Sequence, residues 1–334
     1  MEPVSIGGLT LYPFGAVLAA GVLAGALWSW RSAGGSQARR GMEIFWLLAI
    51  PLGLVLAHLG YCLCSLDMIE DYFWETLADF AGGGYLLYGA VLGAVTALAC
   101  ASSAKSFSFA EGADLLAGPF LLIGAACALG EGLIGGGYGW KVEDWFQPEN
   151  GMSLFALEDV SFFSGFPFAV KDTFYGYANW AVFLPAAALM LLGLIPLARA
   201  RDNLKGGRAV LSLSWYAAVR ILYESLRQDD IPKWGFVRVN QILSAVALLA
   251  LLVICAARGG RKPAGPSWGL FAGGAALVLI MEFALEKKIG VLEWMPMDLC
   301  YVFSALGCGL LFLSVDRLRR GAFGFRKNRR EKPA

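Results

Sequence analysis

The sequence predicts an all-α integral membrane protein, a polytopic helical bundle of about nine transmembrane helices with its N-terminus outside and its C-terminus cytoplasmic. Three observations predict it. Of 334 residues, 58% are hydrophobic and 16% charged, whereas soluble domains carry roughly 25% charged residues. The apolar residues come in repeated runs of about 20, the length a helix needs to cross a hydrocarbon layer of about 30 Å. The basic residues divide unequally between alternate loops, although the formal net charge is only +1. The first two exclude a soluble enzyme; mean hydropathy is +0.61.

The first run, 9–30, has no basic n-region before it and the length of a full span, so it is read as a helix and not as a cleavable signal peptide. Runs at 43–65, 82–104 and 113–137 follow, then a long loop at 138–175, then runs at 176–198, 209–226, 234–257, 268–286 and 297–316. One set of alternate loops collects Arg31, Arg39, Arg40, Lys105, Arg199, Arg201, Lys205, Arg208, Arg258, Arg261, Lys262 and the basic tail after Asp316. The opposite set holds only Lys141, Lys171, Arg227, Lys233, Lys287 and Lys288. The positive-inside rule puts the first set in the cytoplasm. The outer loop at 67–79 is correspondingly acidic, with Asp67, Glu70, Asp71, Glu75 and Asp79. The loop at 138–175 is rich in aromatics, among them Trp140, Trp145, Phe146, Phe155, Phe162, Phe163, Phe166, Phe168, Phe174 and Tyr175. Such residues favour the headgroup level, so this loop is read as a small outer cap.

The seven cysteines lie almost wholly in apolar runs without a CxxC pair, which makes them small core residues; Cys62 and Cys64, at a span end, are the exception to watch. A single histidine argues against a histidine-based zinc site, and no metal, cofactor or nucleic-acid partner is expected.

Ionisable residues inside spans are costly and therefore direct attention to function. They are His58, Glu131, Arg220, Glu224, Arg238, Glu282 and Asp298, all in the outer half under the orientation above. Glu282 and Asp298, near span ends, are read as side chains that snorkel to the interface. Tyr216, Arg220, Tyr223, Glu224 and Arg227 recur at i, i+4, i+7, i+8 and i+11, one helical stripe. Two guanidiniums around one carboxylate leave a surplus of positive charge, to which Arg238 adds, and such forks match a phosphate; the alternative is an Arg220–Glu224 pair that neutralises itself. Glycine clusters at Gly82–Gly84 and Gly135–Gly137 mark irregular backbone at span ends, while Gly89-x3-Gly93 marks close helix packing.

The stretch from Tyr216 through Arg220, Glu224 and Arg227, followed by Gly235, Gln241 and Ser244, resembles the Y-x3-R-F-x2-E-x2-R and G-x5-Q-x2-S segments of the prolipoprotein diacylglyceryl transferases. Leu56-Ala57-His58-Leu59-Gly60-Tyr61 is similar to that family's G-A-R-L-x-Y. Gly83-Gly84 through Tyr88-Gly89 to Gly93 is similar to its G-G-x3-H-G-G-x2-G, and Asp114 through Pro119 and Gly130 to Tyr138-Gly139 to its D-x4-P…G-R-x-G-N-F…Y-G. Order and spacing agree over about 9–257, so the chain is divided into a family-like core at 1–257, two additional helices at 258–316 and a basic cytoplasmic tail at 317–334. Three family residues are replaced. The histidine falls on Tyr88, one arginine on His58, and a second arginine on Ala128, or on Glu131 if three loop residues are missing; the family's HP-x-x-Y-E is not recognisable near Tyr175–Trp180.

The resemblance implies a transferase of the bacterial cytoplasmic (inner) membrane acting in lipoprotein biosynthesis. It would move diacylglyceryl from phosphatidylglycerol to the lipobox cysteine thiol of a prolipoprotein signal peptide, a protein lipidation. Tyr88, Glu131, Arg220 and Glu224 would carry the chemistry, with His58, Gly83, Gly84, Gly139, Arg227, Arg238 and Gln241 binding substrate or membrane lipid. With the family histidine absent, the base that takes the thiol proton would be Tyr88, His58 or Glu131. The alternative is a catalytically inactive homologue that binds phospholipid or lipoprotein precursor. A transporter fits less well, because no inverted repeat is visible and the buried charges avoid the midplane.

Overall fold

Pro13 opens the first long helix, α1 (Pro13–Ser32), at the position where a missing backbone N–H costs nothing. The chain is known from a computed structural model that describes residues 4–6, 9–80, 83–104, 106–171, 176–200, 202, 204–229, 232–235, 237–259, 264–287 and 289–324. Gly82, Lys105, Phe174, Tyr175, Arg201, Arg261, Lys262, Lys288 and tail residues 325–334 lie outside these described residues. After α1 come α2 (Ser36–Cys64), α3 (Leu87–Ser103), α4 (Phe109–Leu133), α5 (Phe183–Arg199), α6 (Gly207–Leu226), α7 (Val239–Gly259), α8 (Ala264–Leu285) and α9 (Met297–Phe323). Ser108 caps α4 by accepting the Glu111 N–H at 3.3 Å.

Each expected span thus contains a helix, and among the described residues six helices are long and apolar enough to cross a membrane. These are α1, α2, α4, α7, α8 and α9; α3 and α5 are apolar but shorter. Several boundaries move inward from the expected ones; the first run, read from residue 9, starts only at Pro13, because Leu9–Leu11 pairs antiparallel with Val4–Ile6. Gly83 and Gly84 have positive φ, so α3 starts only at Leu87; Gly135 and Gly137 do likewise after α4. Before α5 the chain is extended, with β1 (Ala169–Lys171) antiparallel to β2 (Ala178–Trp180). Another such ribbon, β3 (Lys233–Trp234) with β4 (Val237–Arg238), leads into α7, which starts at Val239.

The helix α6 occupies the centre, packed against α4, α5, α7 and α9. It carries Arg220 and Glu224, and Tyr216, Arg220, Tyr223 and Glu224 along it are all buried. The physical reason is the solvent. Where lipid surrounds a bundle, apolar side chains gain nothing by facing inward, whereas charged ones must find partners inside. Leu23, Leu47, Leu92 and Val302 accordingly point outward from the peripheral helices. Close approach of α2 and α3 depends on Gly93, where a Cβ would stand 2.7 Å from the Gly53 backbone.

The pair α8–α9 is a hairpin whose second helix lies on α6 and α7. At its far end Arg319 bonds both Asp316, at 2.7 Å, and Asp202, which ties α9 to the segment between α5 and α6. All seven cysteines, Cys62 and Cys64 included, are free.

Candidate active site

The carboxyl-terminal half of α6 and the turn after it assemble a buried charge cluster. Arg220 Nη2 stands 2.6 Å from Glu224 Oε1, the i,i+4 pair expected on one helical stripe. Arg227 follows as the cap of α6, where the chain turns extended, and its fork grips Asp229 with Nε to Oδ1 at 2.8 Å and Nη2 to Oδ2 at 2.5 Å. From α4, Glu131 reaches both arginines: Oε2 accepts from Arg227 Nη1 at 2.9 Å, and Oε1 stands 3.5 Å from Arg220 Nη2. Tyr223 donates its hydroxyl to Glu131 Oε2 at 2.7 Å, and its ring lies under both guanidiniums at 5.0–5.1 Å.

This arrangement corrects the expected surplus of positive charge. Arg220 and Arg227 are ion-paired with Glu131, Glu224 and Asp229, and Arg238 adds one positive and Glu282 one negative charge beside them, so no surplus of positive charge remains. The sequence conceals the balance because Glu131 lies 89 residues before Arg220. Asp229, beyond the end of the helix, was legible only as an acidic residue two positions after Arg227. Burial works to raise the Asp229 carboxyl, but its bonds from Arg227 and the Gly137 N–H hold it below the usual carboxylate range.

The glycine run after α4 is explained by the same cluster. Gly137, at φ +65°, donates its N–H to Asp229 Oδ2 at 2.8 Å, and a Cβ there would strike the Tyr223 hydroxyl. A Cβ at Gly139 would stand 3.2 Å from the Leu226 carbonyl.

A second, neutral side of the site lies towards α3 and α7. Tyr88 and Ser244 share a hydrogen bond at 2.6 Å, Ser244 donates to the Asn240 carbonyl at 2.6 Å, and Asn240 Nδ2 donates to Glu224 Oε1 at 3.0 Å. The Tyr88 ring meets that of Tyr216 at 6.4 Å. Four buried polar atoms around this region, the Tyr216 hydroxyl, Arg220 Nε, Glu224 Oε2 and Asn240 Oδ1, have no hydrogen-bond partner among the described residues. Such atoms are costly unless something satisfies them.

Gln241 places its carbonyl oxygen on the Arg238 N–H at 3.0 Å, while Arg238 Nη2 donates to the Arg227 carbonyl. Of the site residues read from the sequence, Tyr88, Glu131, Arg220, Glu224, Arg227, Arg238, Gln241 and Gly139 are therefore joined in one assembly. His58 makes its hydrogen bonds elsewhere. Its ring nitrogens face the carbonyls of Gly84, at 3.0 Å, and Thr76, at 2.9 Å, so it fastens the Gly83–Gly84 turn and the short helix Phe73–Ala78 to α2. A Cβ at Gly84 would run into the Tyr61 ring.

Beside the cluster, the loop between α4 and α5 roofs a cavity of about 380 Å³, lined by Gly132, Leu133, Tyr138, Phe166, Val170 and Lys171 among others. Phe146, Phe163 and Trp180 pack together within this segment, and Phe168 joins them while remaining exposed, as are Phe155, Phe162 and Phe166. Of the two residues read as snorkelling, Glu282 is hydrogen-bonded to Gln241 and Ser225 inside the bundle, whereas Asp298 accepts from the Leu154 N–H of the loop between α4 and α5.

Residues 3–257 match the model of a family described as prolipoprotein diacylglyceryl transferase. The chain is 27% identical to a phosphatidylglycerol–prolipoprotein diacylglyceryl transferase of Geobacillus kaustophilus over 269 residues, covering 77% of this chain and 93% of the relative. It is 25% identical to the protein of that name from Listeria welshimeri (75% and 87% covered) and 24% identical to that of Bacillus velezensis (75% and 88%).

Proposed function

The chain belongs to the prolipoprotein diacylglyceryl transferase family, and on that premise we propose that it transfers diacylglyceryl from phosphatidylglycerol to the lipobox cysteine of a prolipoprotein. It does so at the outer face of the bacterial cytoplasmic membrane, as a protein of nine spans with the N-terminus outside and the C-terminus in the cytoplasm. The observation that carries the reading is the convergence of Arg220 and Arg227 on Glu131, the most exposed of the three ion-paired carboxylates at 20% of its side chain.

The chemistry asks two things of such a site. The cysteine sulfur attacks the glyceryl carbon, the bond from that carbon to the phosphate oxygen breaks, and a phosphodiester with one negative charge departs as glycerol phosphate with two. Preorganised guanidiniums in a low dielectric stabilise that growing charge, and Arg220 Nη2 and Arg227 Nη1, the donors that face Glu131, are placed to do it, with Arg238 adding positive charge behind them. The thiol proton must also go to a base. In the resting site Glu131 occupies both arginines; a phosphate that displaces it frees the carboxylate to take that proton, which leaves later with water. Tyr88 and Ser244, with the unpartnered atoms of Tyr216 and Asn240, line the polar approach to the same point. His58 holds the outer turn of the lipid-binding region.

The test is replacement of the host enzyme. With the resident transferase depleted, this chain should restore labelled fatty acid on a lipobox reporter. A membrane-inserted chain that leaves the reporter unlipidated defeats the transferase reading in favour of a homologue that binds phospholipid or precursor without turnover.

A further inference from the structure

The family match ends at residue 257, yet a side chain beyond it is bonded to the site. Glu282 lies one turn from the end of α8 and is 8% exposed. Its Oε1 accepts from Gln241 Nε2 at 3.0 Å and from the Ser225 hydroxyl, and Gln241 Nε2 also donates to Ser225 Oγ at 2.9 Å. Ser225 is the neighbour of Glu224 on α6, and Gln241 is the residue whose carbonyl oxygen holds the Arg238 N–H.

We infer that Glu282 is a positioning residue supplied to the site by the C-terminal hairpin, acting on Arg238 through Gln241. The direction of the Gln241 amide is what it fixes. A carboxylate only accepts hydrogen bonds, so the Gln241 NH2 group must turn towards Glu282, and its oxygen is thereby turned to the Arg238 N–H. Arg238 in turn donates to the Arg227 carbonyl at the point where α6 gives way to Arg227 and Asp229. Remove Glu282, and Gln241 can rotate its amide, leaving the N–H of Arg238 facing an NH2 group.

The same hairpin reaches the outer loop, which is why it can be held at a fixed distance. Asp298, at the start of α9, accepts from the Leu154 N–H at 2.8 Å and from Ser153 Oγ at 3.2 Å, its own N–H donates to the Met152 carbonyl at 3.1 Å, and Tyr301 accepts from Trp140 Nε1 at 3.1 Å. The hairpin is thus fastened on both sides of the cluster, and Glu282 is the point at which it meets the arginine network.

The inference rests on the transferase reading for its catalytic consequence, so its test has two arms. Full-length protein in phosphatidylglycerol nanodiscs is assayed for transfer to a lipobox peptide as wild type, Glu282→Ala and Glu282→Gln. Loss of the bond should lower kcat about tenfold with the peptide KM within about twofold, and Glu282→Gln, which still offers an oxygen to Gln241 and Ser225, should recover most of it. Hydrogen exchange over 225–241, read on the same samples, should quicken in Glu282→Ala and not in Glu282→Gln. Wild-type turnover in Glu282→Ala overturns the inference, and so does equal damage in both variants or a loss that merely follows the amount of folded protein. If the wild type transfers nothing but exchange still depends on Glu282, the transferase reading fails and the positioning role stands; if exchange does not depend on it, the positioning role fails whatever the turnover.

Discussion

Glu131→Gln separates the two duties assigned to that carboxylate, because glutamine keeps an oxygen for Tyr223 and Arg227 but removes the charge. In the folded protein Glu131 accepts from Arg227 at 2.9 Å and from Tyr223 at 2.7 Å, and stands 3.5 Å from Arg220. At an effective dielectric of about 20, each charge pair of this kind is worth about 4 kcal/mol before desolvation, which takes back several kcal/mol per ion. Arg220 retains Glu224 and Arg227 retains Asp229, so the net loss of stability should be only about 1–2 kcal/mol. The cluster meanwhile loses one negative charge. A phosphate that previously had to displace Glu131 no longer competes with it, and phosphatidylglycerol should bind about tenfold tighter, equivalent to about 1.4 kcal/mol. Transfer should fall by about 100-fold or more, the contribution of a general base.

The assay is a titration of purified protein with short-chain phosphatidylglycerol, followed by intrinsic tryptophan fluorescence, with a thermal melt in the same detergent and a turnover measurement in parallel. Tighter binding together with slower transfer is the expected signature. A folded Glu131→Gln protein whose affinity is unchanged or weaker would refute the idea that Glu131 and the phosphate share one pair of arginines. Unimpaired transfer would refute its role as the base.

Arg220→Ala should abolish transfer while Arg220→Lys retains a trace, since a single ammonium cannot reproduce a fork; a fully active alanine variant, measured by reporter lipidation, removes Arg220 from the phosphate site. Gly137→Val should cost about 1–3 kcal/mol, from a left-handed backbone and a side chain driven into Tyr223, read as a lower melting temperature with transfer lost. Asp229, whose folded carboxyl is held below its unfolded value, contributes stability that is present above the unfolded value and lost as pH falls through the folded one. Wild type should therefore lose melting temperature as pH falls from ~5 to ~2, and Asp229→Asn should narrow that loss; an unchanged pH dependence would place the acid sensitivity elsewhere.

Helices were legible in this sequence because lipid imposes one rule on all of them: a run long enough to cross must be apolar, and a break must be polar or rich in glycine. Their ends were less legible. The glycine run at 82–84 announces irregular backbone but not that Gly83 and Gly84 turn left-handed and delay α3 to Leu87, because that conformation answers to Tyr61 and His58, more than twenty residues earlier.

The site divides along the same line. The face bearing Tyr216, Arg220, Glu224 and Arg227 is a property of one helix, so its period displays it. Its charge is a property of the bundle, and that was invisible: Glu131 comes from another helix and Asp229 from a turn, and together they remove the apparent surplus of positive charge. The same limit hid Glu282. A carboxylate near a helix end reads equally well as a side chain seeking water or as one seeking a partner, and only the packing of α9 against α6 and α7, which brings α8 with it, decides that the partner is Gln241. In a membrane a polar residue whose place is fixed by its own helix can be found by periodicity, whereas one whose place is fixed by a neighbour betrays itself only by the cost of being there. On that ground every ionisable residue within a span is worth treating as paired until its partner is known.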